Sequence, residues 1–314
     1  MSLTNSTPVS IVKTTITEFS EDRCMQMAAA LAYYTMFAVA PLMVVVIAVA
    51  GFFLQQSGVA GSEAEVESTV VSEIGHVVGE QPAQQISEML SSSQRGGGST
   101  WTTILSTVML LFGATAIVAQ LQASMNQAWE VEPDPNQGGF WNFAKKRILS
   151  LGMIIGIAFL LLVSLVLSTV LEAFNNLVMQ YLPEGIGSWV PKLTNFVLQL
   201  LITTGLFAAI FKVLPDAKIR WRDVGIGAFV TALAFSLGRY AISLYLAQGN
   251  VSDGFGLAGS LVVFLVWVYY SSVIFFIGVE FTQVYIRSRG RRIEPVEGAV
   301  RVVRKVEKQQ PAAA

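Results

Sequence analysis

The stretch Leu257-Ala-Gly-Ser-Leu-Val-Val-Phe-Leu-Val-Trp-Val-Tyr-Tyr-Ser-Ser-Val-Ile-Phe-Phe-Ile-Gly-Val-Glu280-Phe-Thr-Gln-Val-Tyr-Ile286 carries a single charged side chain, Glu280, and Arg287, Arg289, Arg291 and Arg292 follow it at once. A helix rises about 1.5 Å per residue, so about 20 apolar residues cross the roughly 30 Å of hydrocarbon in a bilayer. This stretch is long enough to cross, and the arginines behind it mark where it leaves the lipid. Working outward, residues 27–54, 101–121, 148–171 and 193–211 contain no charged side chain, and 224–247 contains only Arg239. Six spans of about these bounds are predicted. The runs lack the alternating polarity of barrel strands, and only self-satisfied helices or closed barrels are tolerated in lipid. The fold class is therefore all-α: a polytopic membrane protein with six transmembrane helices.

Composition agrees. Hydrophobic residues make up 53% of the 314 and charged residues 13%, about half the charged share of an ordinary soluble domain. The mean hydropathy is +0.58. The one cysteine, Cys24, excludes a disulfide framework and a cysteine-rich metal site. The first apolar run is too long for a secretory signal, lacks a small-residue cleavage site and follows a charged amphipathic stretch from Lys13 to Arg23, so it reads as a retained span.

Charge position sets the orientation. If the N-terminus is inside, every Lys and Arg falls on an inner segment except Arg95 and Lys192 outside and Arg239 within the membrane. Positive residues concentrate on the cytoplasmic side, so both termini are expected in the cytoplasm. The chain then divides into an N-terminal cytoplasmic segment (1–26), a six-helix membrane domain (27–286) and a basic cytoplasmic tail (287–314).

The outer loop 55–100 is acidic, with Glu63, Glu65, Glu67, Glu73, Glu80 and Glu88 against Arg95. Val66, Val70, Ile74, Val77 and Val78 recur at helical spacing and Ile86, Met89 and Leu90 resume the pattern after Pro82, which predicts two short amphipathic helices capping the membrane domain. The tail arginines lie beside the inner leaflet, where basic clusters attract anionic headgroups. Membrane lipids are thus expected partners. Nothing beyond Glu297 has the apolar periodicity to build a domain, so a loose end is expected there.

Ionisable residues inside spans are costly and commonly mark function. Counted at about 1.5 Å per residue, Arg239 lies roughly 22 Å from the inner end of its helix and Glu280 roughly 9 Å from the inner end of its own, so the two are not expected to pair. Arg239 shares its depth with Tyr240, Tyr269 and Tyr270, and a guanidinium there can receive a phosphate or carboxylate. These four are the candidate substrate-binding residues. Glu280 is expected in a structural ion pair with Arg220, Arg222 or a tail arginine. Pro41 breaks the hydrogen-bond ladder of the first span and is a candidate hinge. Gly152 and Gly156 form a small-xxx-small pair that suits close approach within the chain or between two copies, so homo-oligomerisation stays open.

Several segments resemble a known family: Ala28-Ala-Ala-Leu-Ala-Tyr-Tyr with Ala40-Pro41-Leu42, then Asn126-Gln-Ala-Trp129-Glu-Val-Glu-Pro133, Leu214-Pro-Asp216, Trp221-Arg-Asp223-Val-Gly-Ile-Gly-Ala228, and Gly259-Ser-Leu leading to Glu280-Phe. Together, over about 17–287, they resemble the YihY/BrkB family of bacterial inner-membrane proteins. The resemblance implies six spans and location in the bacterial inner membrane. Members have been labelled ribonucleases of the BN type, linked to serum resistance in a pathogen, and proposed to move lipid-linked or lipopolysaccharide-precursor molecules. The residues argue against a nuclease. A metal-dependent one needs clustered His and Asp ligands, yet the sole histidine, His76, falls in the outer loop, away from nucleic acid. Asp216 and Asp223 read as helix-start capping among topology-setting charge.

The chain is thus expected not to be an enzyme and to need no metal or other cofactor. The leading expectation is a transporter or flippase-like protein for a lipid-linked or anionic amphipathic substrate. The alternative is a non-catalytic membrane scaffold of the cell envelope.

Overall fold

In the computed structural model, residues 7–38, 63–78, 84, 87, 115–134, 148, 152, 155–156, 189–248 and 259–302 are described. Seven helices are assigned among them: α1 (Pro8–Glu21), α2 (24–38), α3 (Glu63–Val78), α4 (115–128), α5 (Trp189–Val213), α6 (Trp221–Gln248) and α7 (Gly259–Ser288). Four short strands accompany them: β1 (Val131–Pro133), β2 (Ala217–Lys218), β3 (Glu294–Pro295) and β4 (Ala299–Arg301).

Among the described residues three helices are long and apolar enough to cross a membrane: Leu193–Val213, Trp221–Ile242 and Val262–Ser288. They correspond to the predicted spans 193–211, 224–247 and 257–286. Pro41 and most of the first three predicted spans lie outside the described residues. Helix α3 realises the periodicity of the acidic loop, with Val66 and Val70 buried and the helix resting on α5.

Helices α5, α6 and α7 pack in chain order, and α1 packs on α7. Lipid supplies no hydrophobic drive for helices to associate, so close approach and interdigitation hold them together. The α6–α7 seam shows how. A Cβ added to Gly227 would lie 2.0 Å from Thr282 Oγ1, and one added to Gly278 would lie 2.0 Å from Thr231 Oγ1. Each helix therefore offers a glycine and, four residues on, a threonine, and the two antiparallel pairs interlock. Each threonine hydroxyl donates back to the carbonyl of the glycine on its own helix, at 2.7 Å, so neither is left unsatisfied. Beside the seam, Phe207, Phe211, Phe275 and Phe276 form an aromatic cluster that Trp129 joins from α4's end.

The expected loose end is corrected as far as residue 302. The chain folds back after α7, with β3 pairing antiparallel to β2 and β4 antiparallel to β1. The hydrogen bonds from Val296 N to Asp216 O and from Val302 N to Glu130 O fasten it further. Apolar periodicity missed this segment because backbone pairing with distant strands holds it.

Candidate functional site

One end of the bundle gathers the last turn of α1, the start of α2, the end of α4, the α5–α6 connection and the end of α7. Two sharp backbone turns shape it. Arg23, between α1 and α2, and Glu130, after α4, both adopt positive φ, 56° and 57°, a conformation that disfavours residues other than glycine. Asp22 caps α1 with its amide bonded to Glu18 O, and Gln127 Nε2 donates to Asp22 O at 3.3 Å. The turn is thereby fixed against α4.

Between these elements opens a cleft of about 920 Å³, with Glu18, Glu21, Asp22, Glu130 and Glu132 among its walls and Arg23 as the one cation among its described lining residues. Arg287 reaches in from α7 and bridges Glu18 at 2.8 Å and Glu130 at 3.3 Å, while Arg301 holds Glu130 at 2.7 Å. Burial raises the Asp22 carboxyl from 3.8 to about 6, the charges of Glu18 and Glu130 push the same way, and Glu280 and Arg287 oppose them. Asp22 therefore titrates near neutrality.

Behind Asp22 lies Glu280, fully buried. Its Oε1 accepts from Cys24 Sγ at 3.3 Å, and its Oε2 has no hydrogen-bond partner among the described residues. The expected ion pair with Arg220, Arg222 or a tail arginine is not found among the described residues. Arg291 is committed to Asp223 at 2.6 Å and Arg287 to the two glutamates, and the α1–α2 turn fills the space beside Glu280 with Cys24. Burial pushes the Cys24 thiol up, and the neighbouring Glu280 adds to it, so Cys24 serves as a neutral donor. Among the described residues no group of three or more His, Cys, Asp or Glu could hold a metal ion.

A second polar knot ties α4 to the α5–α6 connection. Asn126 Nδ2 donates to Asp216 Oδ2 at 2.8 Å, Asp216 N donates to Asn126 Oδ1 at 2.8 Å, and Gln122 Nε2 donates to Asp216 Oδ1 at 3.3 Å. Trp129, buried, donates from Nε1 to Val279 O at 3.2 Å. The motifs around Asn126, Trp129, Asp216 and Glu280 thus meet in space, and they build the end of the bundle that frames the cleft.

The four substrate-binding candidates lie toward the other half of α6 and α7 and are not gathered in one cluster. Arg239 is half-buried and donates from Nη2 to Gln199 Oε1 on α5 at 3.1 Å. Tyr270 lies against Gly238, the residue before Arg239. Tyr240 is exposed, and Tyr269 reaches Met25 Sδ at 3.6 Å. Among the described residues Arg239 and Glu280 form no ion pair with each other. The sequence reading missed Asp22, Cys24, Glu18 and Glu130. Their one local signal is the acidic density around 18–22, and nothing near them in sequence points to Glu280.

The model of the virulence factor BrkB family matches residues 15–301. The chain belongs to this family. Among its BrkB-type relatives, a UPF0761 membrane protein of Alcanivorax borkumensis is 26% identical over 294 residues, covering 92% of this chain and 63% of the relative. One from Teredinibacter turnerae is 26% identical, covering 80% of this chain and 54% of the relative. The chain thus spans somewhat more than half the length of these two. A UPF0761 membrane protein of Mannheimia succiniciproducens, also 26% identical, is matched over 86% of its length. No solved structure matches the chain. The family and the apolar helices make this a membrane protein.

Proposed function

We propose that this BrkB-family member is a transporter or flippase-like protein of the bacterial inner membrane, with six spans and both termini cytoplasmic, that moves a lipid-linked or anionic amphipathic substrate without catalysing a reaction. The observation that carries the reading is the cleft of about 920 Å³ whose wall residue Asp22 interacts with the fully buried, half-satisfied Glu280 behind it. A carboxyl removed from water without a cation or a full set of hydrogen bonds costs several kcal/mol, and an anchor would be more stable with an apolar side chain there. Ionisable groups kept at such a cost inside membrane bundles usually serve a pathway.

Arg239 supports the substrate class. Its guanidinium sits within a candidate span beside Gln199, and a guanidinium fork matches a phosphate or carboxylate through charge-assisted bonds about twice as strong as neutral ones. The test is substrate movement in proteoliposomes holding the full chain. Arg239→Ala and Glu280→Gln are each expected to lower flux by about tenfold or more, equivalent to about 1.4 kcal/mol. Wild-type flux in both variants, for every anionic lipid and amphipathic anion supplied, refutes the reading. A stable envelope partner whose cross-linking depends on residues 62–93, with no flux in any preparation, would favour the scaffold.

A further inference from the structure

On the same end of the bundle, a second cleft of about 470 Å³ opens between the α5–α6 connection and the segment after α7. Its volume falls in the roughly 300–1,000 Å³ range of ligand pockets. Lys218, Arg220 and Asp223 line it from the side of the α5–α6 connection and the start of α6, and Arg291, Arg292 and Glu294 from the segment after α7. The pairing of β2 with β3, which sets Lys218 opposite Glu294, fixes the two basic walls facing each other. Arg291 is neutralised and held by Asp223 at 2.6 Å, and the hydrogen bond from Arg291 N to Ile286 O fixes its backbone. Lys218, Arg220 and Arg292 form no ion pair among the described residues, so the cleft keeps an excess of positive charge against Glu294 alone.

The depth of the cleft narrows its ligand. Arg220 directly precedes Trp221, where a candidate span begins, and Arg291 lies three residues beyond Ser288, where another ends. Trp221 is 63% exposed, with the Lys212 ammonium 5.8 Å from its ring centroid. An exposed tryptophan flanked by cations at a span's end sits at the headgroup level. The cleft therefore opens where the phosphates of a bilayer lie. Arginine forks match phosphate oxygens two at a time, and basic pockets between spans select anionic headgroups.

We propose that Lys218, Arg220 and Arg292, framed by the Arg291–Asp223 pair, form a binding site for the phosphate of an anionic lipid headgroup. The fold-back of the tail, for which α7 has no need as an anchor, is what builds the site. It stands independently of any transport activity. Charge that only set topology would require neither a fixed register nor a cavity.

The experiment is lipid retention by the purified full chain in a neutral detergent, comparing phosphatidylglycerol with phosphatidylcholine by native mass spectrometry. The wild type is expected to retain phosphatidylglycerol selectively. Arg220→Gln with Arg292→Gln should lower that selectivity on the order of tenfold to thirtyfold, since each basic residue near an anionic surface contributes about 1 kcal/mol. Arg222→Gln with Arg289→Gln removes the same charge at the same end but outside the cleft, and should change selectivity by less than about threefold. Equal losses in the two pairs, or none in the first, overturn the site. Displacement of the lipid by millimolar inorganic phosphate at constant ionic strength overturns the assignment to a lipid and points to a soluble phosphate. If the double cleft variant does not fold, Arg292→Gln alone, an exposed substitution, reads the same difference against Arg289→Gln.

Discussion

Replacing Gly227 by alanine tests the packing that sets α6 against α7. The new Cβ would sit 2.0 Å from Thr282 Oγ1, 2.9 Å from its Cβ and 3.0 Å from its Cγ2, where ordinary contact begins at 3.4 Å. The shortfall is about 1.4 Å at the worst contact. Rotating Thr282 does not remove it, because Cβ stays in place and the rotation breaks the hydroxyl's bond to Gly278 O. The seam must open instead, and protein interiors close-packed at crystal-like density transmit such strain. Overpacking of this kind costs about 1–3 kcal/mol. Thr282→Ala removes the two atoms beyond Cβ and leaves only the 2.9 Å contact, so the Gly227→Ala/Thr282→Ala pair should recover at least about 1 kcal/mol relative to the sum of the single changes. The assay is equilibrium unfolding in mixed micelles, carried through as a double-mutant cycle. Wild-type stability in Gly227→Ala, or strictly additive effects, would refute the seam.

Two further predictions concern the end of the bundle that holds both clefts. Asp22 is raised from 3.8 to about 6, so the fold favours its protonated form. The stability this gives is fully present below the unfolded value and is lost as pH rises through about 6. Thermal unfolding measured from pH 5 to 7.5 should show that downward step in the wild type, and Asp22→Asn should flatten it. Asp216→Ala strips the Asn126 and Gln122 amides of their shared acceptor and should destabilise by about 1–3 kcal/mol, whereas Asp223→Asn, which keeps the shape beside Arg291, should cost less. Equal unfolding midpoints for wild type and Asp216→Ala would show that the knot contributes nothing.

Much of the fold could be read from the chain because lipid is a strict solvent. A span needs an unbroken apolar run, and runs ending near Val213, beginning near Trp221 and closing near Ile286 leave little freedom in where α5, α6 and α7 lie. The amphipathic period at Val66 and Val70 was legible for the same kind of reason: a face that must be buried repeats at the helical period. Arg239 and Glu280 stood out as charges in apolar runs.

What those charges touch was not legible. Glu280 meets Cys24 across 256 positions, Asp216 meets Asn126 across 90, and Arg291 meets Asp223 across 68. Arginines adjacent in sequence to the end of α7 are the partners that sequence position offers Glu280, but the α1–α2 turn sets Cys24 against it and other carboxylates engage Arg287 and Arg291. The tail was misread for a related reason, since the partners that order β3 and β4 lie 76 and 170 residues away, as the pairings of Lys218 with Glu294 and of Val131 with Arg301 show. Hydropathy acts on each residue through its solvent and is local, so the sequence by itself determined the membrane class, the three apolar helices and the charges they carry. Hydrogen bonds and ion pairs act between particular atoms brought within about 3 Å, so only the tertiary structure decided which charges were satisfied, which were left open to a cleft, and where a phosphate could be held.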